Sequence, residues 1–129
     1  MSEPLIEYCK IGLLATTIGN ERIRVDSDGG LYYSRNSHEC MAGELWNGSW
    51  QQFGKLDAAA VHDLLQGIRE SGVLVLPPVT VDEAVEGGKR EELTLQIDAV
   101  MHRYVVQNSD QPAFRKVVQL LWGTFIEVV

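Results

Sequence analysis

Short turn sequences between alternating segments direct much of this chain toward antiparallel strand pairing. Ile23 and Val25 alternate with charged residues, which is the period of a strand with one buried face. The run Asp26-Ser27-Asp28-Gly29-Gly30 then supplies residues that tolerate positive φ, and a second apolar run begins at Leu31. A hairpin is therefore predicted here. Because only antiparallel strands can be joined by so short a loop, the pattern indicates an antiparallel sheet.

Two further hairpins are predicted along the chain. Asn47-Gly48 is the favoured central pair of a type I′ turn, since both positions require positive φ. Residues 93–97 alternate between apolar and polar, and after a turn near Asp98-Ala99 the alternation resumes over residues 102–106. The apolar segment Leu5 to Thr17 predicts one additional strand or two.

Two amphipathic helices interrupt and follow the strands. Asp57 caps the first helix and Gly72 ends it, while the second begins at Ser109-Asp110-Gln111-Pro112, where proline is tolerated in the first turn. Between the helices, residues 77–92 are predicted to form a long stretch of low structure, which is expected to be either mobile or functional.

The order strands, helix, strands, helix predicts a single α+β domain over residues 1–129. We expect an antiparallel sheet of about five to six strands with two helices packed on one face. The apolar positions of both helices and of the alternating strands form the predicted core: Ile23, Val25, Leu31, Val61, Leu64, Leu65, Ile68, Leu93, Leu95, Ile97, Phe114, Val118, Leu121 and Phe125.

The charge balance argues against several classes of partner. A net charge of −7 over 129 residues repels phosphate backbones, and no basic cluster longer than Lys89-Arg90 offsets it, so we expect no nucleic-acid partner. No apolar run approaches the roughly 20 residues that span a bilayer, so we expect no membrane partner, and a cytoplasmic location by default. Cys9 and Cys40 are expected to be reduced thiols.

No combination of residues predicts catalysis, a cofactor or a metal site. Adjacent residues of a strand point to opposite faces, so His38-Glu39-Cys40 supplies at most two ligands to one ion, fewer than zinc requires. Asp26-Ser27-Asp28-Gly29 resembles the start of a calcium loop, but Ser37 stands where that loop needs glutamate. Glu91-Glu92 is expected to be ordinary surface charge. The sequence therefore predicts neither an enzyme nor a cofactor.

Clustered apolar residues suggest an interaction surface. Trp46, Trp50 and Phe53 lie close in sequence, and large rings provide contact area at low entropic cost, although covering the core is their more common use. The apolar arc of the second helix, which includes Trp122 and Ile126, spans about 180°, more than the roughly 100° needed to cover a sheet.

This excess arc has two outlets. Residues 126–129 could leave the helix and pack against the chain in an extended conformation, or a second copy could cover the arc. We favour a homodimer, since twofold dimers are the commonest oligomers.

Three segments also carry a family resemblance. The run Ile23–Leu31, the helix Leu56 to Gly72 with its exit Val73–Pro77, and Leu93–Ile97 followed by a terminal helix resemble emfourin-type small bacterial proteins. That family is known for inhibiting metalloproteases of the thermolysin class, so the resemblance implies an α+β domain of protease-inhibitor type.

The predicted function is thus a non-catalytic protein-binding domain, of protease-inhibitor type if the resemblance holds. The alternative is a small ligand-binding domain or enzyme that uses His102 and Tyr104, or the surface of Trp46 and Trp50.

Overall fold

The structure, a computed structural model, describes residues 2–12, 20–35, 49–82, 84 and 88–128 of the chain. Within these ranges the strands are β1 (Pro4–Gly12), β2 (Glu21–Asp26), β3 (Gly30–Arg35), β4 (Gln51–Lys55), β5 (Val79–Val81), β6 (Lys89–Ile97) and β7 (Val100–Gln107). The helices are α1 (Ala58–Glu70) and α2 (Pro112–Val128), and Val73–Val75 forms a short 3₁₀ turn after α1.

The predicted α+β class is confirmed, but the sheet differs from the prediction in size and type. Over the described ranges it has seven strands in the order β4-β3-β2-β1-β6-β7-β5, all antiparallel except for β5, which runs parallel to β7. The difference arises in residues 77–92, for which the sequence predicts little structure. Val79–Val81 pairs there with Val105–Gln107 as an edge strand, and β6 begins at Lys89.

Strand alternation divides the sheet into a helix-covered face and an opposite face. Tyr8, Ile23 and Leu93 lie in register on the helix-covered face, whereas Cys9, Arg22 and Glu92 lie in register on the opposite face. All the predicted core residues are buried on the helix side except Val61 and Leu65, which are half-buried.

Helix α1 begins and ends where the sequence predicts. The Asp57 carboxylate accepts a hydrogen bond from the Ala60 amide at 2.8 Å, which satisfies one of the free N–H groups of the first turn. Gly72 has a φ of 86°, the left-handed conformation that ends a helix. Leu64 and Ile68 are buried against the sheet.

Two of the predicted hairpins are confirmed, and the third lies outside the described residues. In the β2–β3 turn Gly29 has a φ of 91°, and its amide donates to the Asp26 carbonyl at 2.9 Å. Asp98 and Ala99 have φ values of 53° and 61°, as a type I′ turn requires between β6 and β7. The turn predicted at Asn47-Gly48 is not among the described residues.

Helix α2 begins at Pro112, as predicted, and continues to Val128. The extended tail offered as one outlet for the apolar arc is therefore wrong, because residues 126–128 stay helical, with no glycine or proline after Gly123. Trp122 is half-buried against the core, whereas Ile126 remains 73% exposed. Neither helix of the described residues is long and apolar enough to span a bilayer.

Candidate functional site

A groove of about 510 Å³ runs between α2 and the end of the sheet at which β1 ends and β2 and β6 begin. We call it the sheet-end groove. Its lining combines three cations and one carboxylate with an apolar wall on α2: Lys10, Lys89, Arg115 and Glu21, together with Tyr8, Val118, Gln119, Trp122, Gly123 and Ile126.

Strand register brings the charged groups together. Lys10 on β1 is paired with Glu21 on β2 and with Glu91 on β6, so that three charges form one row across the helix-covered face. Lys89 lies two residues before Glu91 and therefore shares its face. Arg115 reaches the same row from the first turn of α2.

Glu91 lies behind this lining as a buried carboxylate with 1% exposure. The Tyr8 hydroxyl donates a hydrogen bond to Glu91 Oε2 at 2.5 Å. Lys89 Nζ and Arg115 Nη2 approach Glu91 Oε1 at 3.4 Å and 3.5 Å. The carboxylate is thus compensated on both oxygens, as a buried charge requires.

Burial, and secondarily the hydrogen bond to Glu91, raise the pKa of Tyr8 well above its ordinary value. The phenol is therefore protonated at neutral pH and serves as a hydrogen-bond donor. A general base would need the opposite shift.

The expectation that Glu91-Glu92 is ordinary surface charge is wrong for Glu91. Glu92 lies on the opposite face, where it pairs with Arg103 at 2.6 Å and Arg90 at 3.0 Å. Glu91 shares the parity of the buried Leu93 and therefore points toward the helices. Extending the apolar alternation back by two residues would have indicated this burial.

The residues that line the groove are net cationic although the chain as a whole is acidic, and the carboxylates of Glu91, behind the lining, and of Asp110, 3.9 Å from Arg115 Nε, offset part of that charge. The three lining cations face one lining carboxylate, Glu21, which itself accepts a hydrogen bond from the Tyr33 hydroxyl at 2.8 Å. Burial, and then this hydrogen bond, raise the pKa of Tyr33 to about 12. Lys89 and Arg115 keep 42% and 34% side-chain exposure, so an incoming anion can reach them.

Large apolar side chains continue the α2 wall of the groove toward β4. The rings of Trp122 and Phe125 lie edge to face with centroids 6.3 Å apart, and Phe53 meets Phe125 at 6.1 Å. Phe53 is 45% exposed and Ile126 is 73% exposed. We call Phe53, Trp122, Phe125 and Ile126 the aromatic rim.

The structure brings together only part of the interaction surface predicted from the sequence. Phe53, Trp122 and Ile126 share the aromatic rim. Trp50 lies on the opposite face, where the guanidinium of Arg22 stands 4.2 Å from its ring centroid. Trp46 is outside the described residues.

The two surfaces named for the alternative function lie on different faces of the sheet. His102 and Tyr104 stack with ring centroids 6.5 Å apart on the helix-covered face of β7. Trp50 precedes β4 at the far edge of the sheet, on the opposite face. The two surfaces are therefore separate, and His102 and Tyr104 stay together on one of them.

Cys9 lies in the middle of the opposite face. Burial, and then the charges of Glu92 and Glu7, raise the pKa of its thiol to about 12, which makes it a poor nucleophile. Cys40 and the His38-Glu39-Cys40 segment fall outside the described residues. Among the residues that the structure describes, no three His, Cys, Asp or Glu side chains form a cluster that could hold a metal ion.

A second groove, of about 720 Å³, separates α1 from α2. Leu64, Gly67, Leu120 and Gly123 are among its lining residues, and its charged residues are Asp63, Glu70 and Lys116. It has no convergent set of like charges. The sheet-end groove, which has one, is the better candidate site.

Comparison with known proteins adds no family to this description. The chain matches no protein-family model, and no curated protein is significantly similar to it. The fold defines an α+β protein with both helices on one face of a mostly antiparallel sheet, and the site is an open groove of mixed cationic and apolar character.

Proposed function

We propose that this protein is a non-catalytic protein-binding domain whose partner contacts the aromatic rim and the adjoining sheet-end groove. The observation that carries the proposal is the 73% exposure of Ile126 in a groove lined by three cations, with the 45% exposed Phe53 connected to that groove through the rings of Phe125 and Trp122. Contiguous exposed apolar area typically marks an interaction site. Aromatic and arginine side chains contribute most of the binding energy at such sites.

The partner surface complementary to this region has apolar side chains for the rim and acidic side chains for the groove. Lys10, Lys89 and Arg115 steer an acidic segment toward the groove even though the whole chain is acidic. The resemblance to emfourin-type proteins names one partner class for a first test, metalloproteases of the thermolysin class, with inhibition as the consequence of binding.

Two features favour binding over catalysis. The Tyr8 hydroxyl donates a hydrogen bond to Glu91 and has a raised pKa, so the phenol keeps its proton and is not a base near neutral pH. Glu91 is 1% exposed and already engaged by three side chains, which leaves it poorly placed to exchange a proton with a substrate.

The test compares Ile126→Glu with Val100→Glu in a binding assay against a thermolysin-class metalloprotease. Both residues are exposed apolar side chains, at 73% and 52%, but Val100 lies at the β6–β7 turn, away from the rim. We expect Ile126→Glu to weaken binding by about tenfold or more, the loss typical of an interface hot spot, and Val100→Glu to change it little.

The outcomes distinguish an error in the partner class from an error in the binding surface. Failure of the unmodified protein to bind or inhibit any thermolysin-class protease contradicts the inhibitor assignment. A partner that binds equally well to the Ile126→Glu and Val100→Glu variants contradicts the assignment of the rim.

A further inference from the structure

We propose that the sheet-end groove is a carboxylate-binding site, and that its ligand is a carboxylate attached to an apolar group. This inference rests on the proposed function, because the ligand that it names is an acidic side chain of the protein partner, next to an apolar residue of that partner. The first support is the number of unused donors around the groove. The guanidinium of Arg115 has five N–H groups and the ammonium of Lys89 has three, and the carboxylate oxygens near them, Glu91 Oε1 and Asp110 Oδ1 at 3.9 Å from Arg115 Nε, occupy only a fraction of these donors.

Lys10 is the second support. It is exposed, lines the groove, and makes no ion pair with any residue in the described ranges. Its register partners are Glu21, whose carboxylate is engaged by Tyr33, and Glu91, which is engaged by Tyr8. An incoming carboxylate would therefore meet Lys10, which has no ion pair within the described ranges, and two cations with donors to spare.

The apolar wall selects among anions. Val118, Trp122 and Ile126 line the side of the groove formed by α2, opposite the cations that the strands contribute. An inorganic anion gains nothing from this wall, whereas the hydrocarbon part of an organic acid buries apolar surface against it. The volume of about 510 Å³ falls within the range of small-ligand sites, which combine apolar walls with a few polar groups.

Hexanoate and hexanamide provide a matched pair of probes, since they share the hydrocarbon chain and differ in charge. Two-dimensional NMR follows the indole N–H of Trp122, which is assigned by its loss in Trp122→Phe. We expect hexanoate to shift this signal with saturable, salt-sensitive binding and hexanamide to bind at least several-fold more weakly.

Three charge variants locate the site. Lys10→Gln and Lys89→Gln should each weaken hexanoate binding by about two- to fivefold, as expected for solvent-accessible ion pairs. Lys55→Gln changes the net charge equally but lies on β4 at the other end of the sheet, so it should have little effect. Glu91→Gln removes the carboxylate that competes for Lys89 and Arg115, and should tighten hexanoate binding by about two- to tenfold without affecting hexanamide.

Equal binding of hexanoate and hexanamide would overturn the proposal, because the groove would then recognise only the hydrocarbon. Equal effects of Lys10→Gln and Lys55→Gln would also overturn it. If a partner is lost in Ile126→Glu but retained in Lys10→Gln and Lys89→Gln, the protein-binding function stands and the carboxylate site does not.

Discussion

Removing one oxygen atom from Tyr8 tests how the sheet accommodates a buried charge. Tyr8→Phe preserves the ring, which packs near Phe114, but leaves Glu91 Oε2 without its donor at a position with 1% exposure. Hydrogen bonds to charged groups contribute about 1.5–3 kcal/mol. We expect the free energy of unfolding to fall by about 2–3 kcal/mol and the Tm by about 8–12 °C.

Tyr33→Phe is the matched control for this substitution. The Tyr33 hydroxyl also donates to a glutamate, at 2.8 Å, but Glu21 is only half-buried, so water can replace the lost donor. We expect a loss of about 0.5–1 kcal/mol. Chemical denaturation followed by circular dichroism at pH 7 measures both variants. Equal losses for the two, or a loss below about 0.5 kcal/mol for Tyr8→Phe, would refute the reasoning.

The hydrogen-bonded pair of Tyr8 and Glu91 also predicts how stability depends on alkaline pH. The raised pKa of Tyr8 means that the folded protein keeps the phenol proton at pH values where the unfolded chain, with a pKa near 10, has released it. This contribution is fully present below about pH 10 and is lost as the pH rises toward the pKa of the folded state. Tyr8→Phe should therefore be less stable at pH 7 but lose stability less steeply between about pH 10 and 12. Parallel declines in stability for the unmodified protein and for Tyr8→Phe would contradict this prediction.

The remaining predictions concern backbone, thiol and assembly. Gly29→Ala should destabilise the fold by several kcal/mol, because the φ of Gly29 is 91° and the new Cβ would clash with the Leu56 carbonyl. Gly123→Ala places its Cβ in open space within a helix and should stabilise the fold by about 0.5–1 kcal/mol. Thermal denaturation compares the two variants. Iodoacetamide at pH 8 should alkylate Cys9 at least about tenfold more slowly in the folded than in the unfolded protein, since burial raises the pKa of its thiol to about 12 and lowers the thiolate fraction, as peptide mass mapping would show. Sedimentation tests the homodimer predicted from the sequence, which would compete with the proposed partner for Ile126: a dimer that Ile126→Glu converts to a monomer would mean that a second copy covers the rim, whereas a monomer at high concentration would remove the dimer and leave the rim to the partner.

Sequence signals were sufficient where structure depends on neighbouring residues. Helix α1 is confirmed because its cap, its stop and its apolar stripe all lie within one segment, from Asp57 to Gly72. The hairpin of β6 and β7 is confirmed because its turn needs only two residues with positive φ, Asp98 and Ala99. In both elements each local choice agrees with the fold around it.

Sequence signals were insufficient where structure depends on distant partners. Val79–Val81 is three residues long, and its exposed valines show no buried alternation, so only its pairing with Val105–Gln107 makes it a strand. The sheet-end groove was missed for the same reason. Lys10, Lys89 and Arg115 belong to three elements, and only the register of β1 with β6 and the packing of α2 bring them together.

Glu91 shows how two sequence rules can conflict and how the conflict is resolved. Its chemistry favours the surface, while its parity with Leu93 and Leu95 places it on the buried face. The structure satisfies both rules by supplying Tyr8 from β1 and Arg115 from α2. Stability alone does not require this arrangement, since replacing a buried polar pair by apolar residues of similar volume is often neutral. Tyr8→Phe combined with Glu91→Met should therefore be more stable than Tyr8→Phe alone, a gain that denaturation can measure. Such a gain would mean that the buried carboxylate is not needed to hold the sheet together. The role left to test would then be the competition of Glu91 with an incoming anion for Lys89 and Arg115.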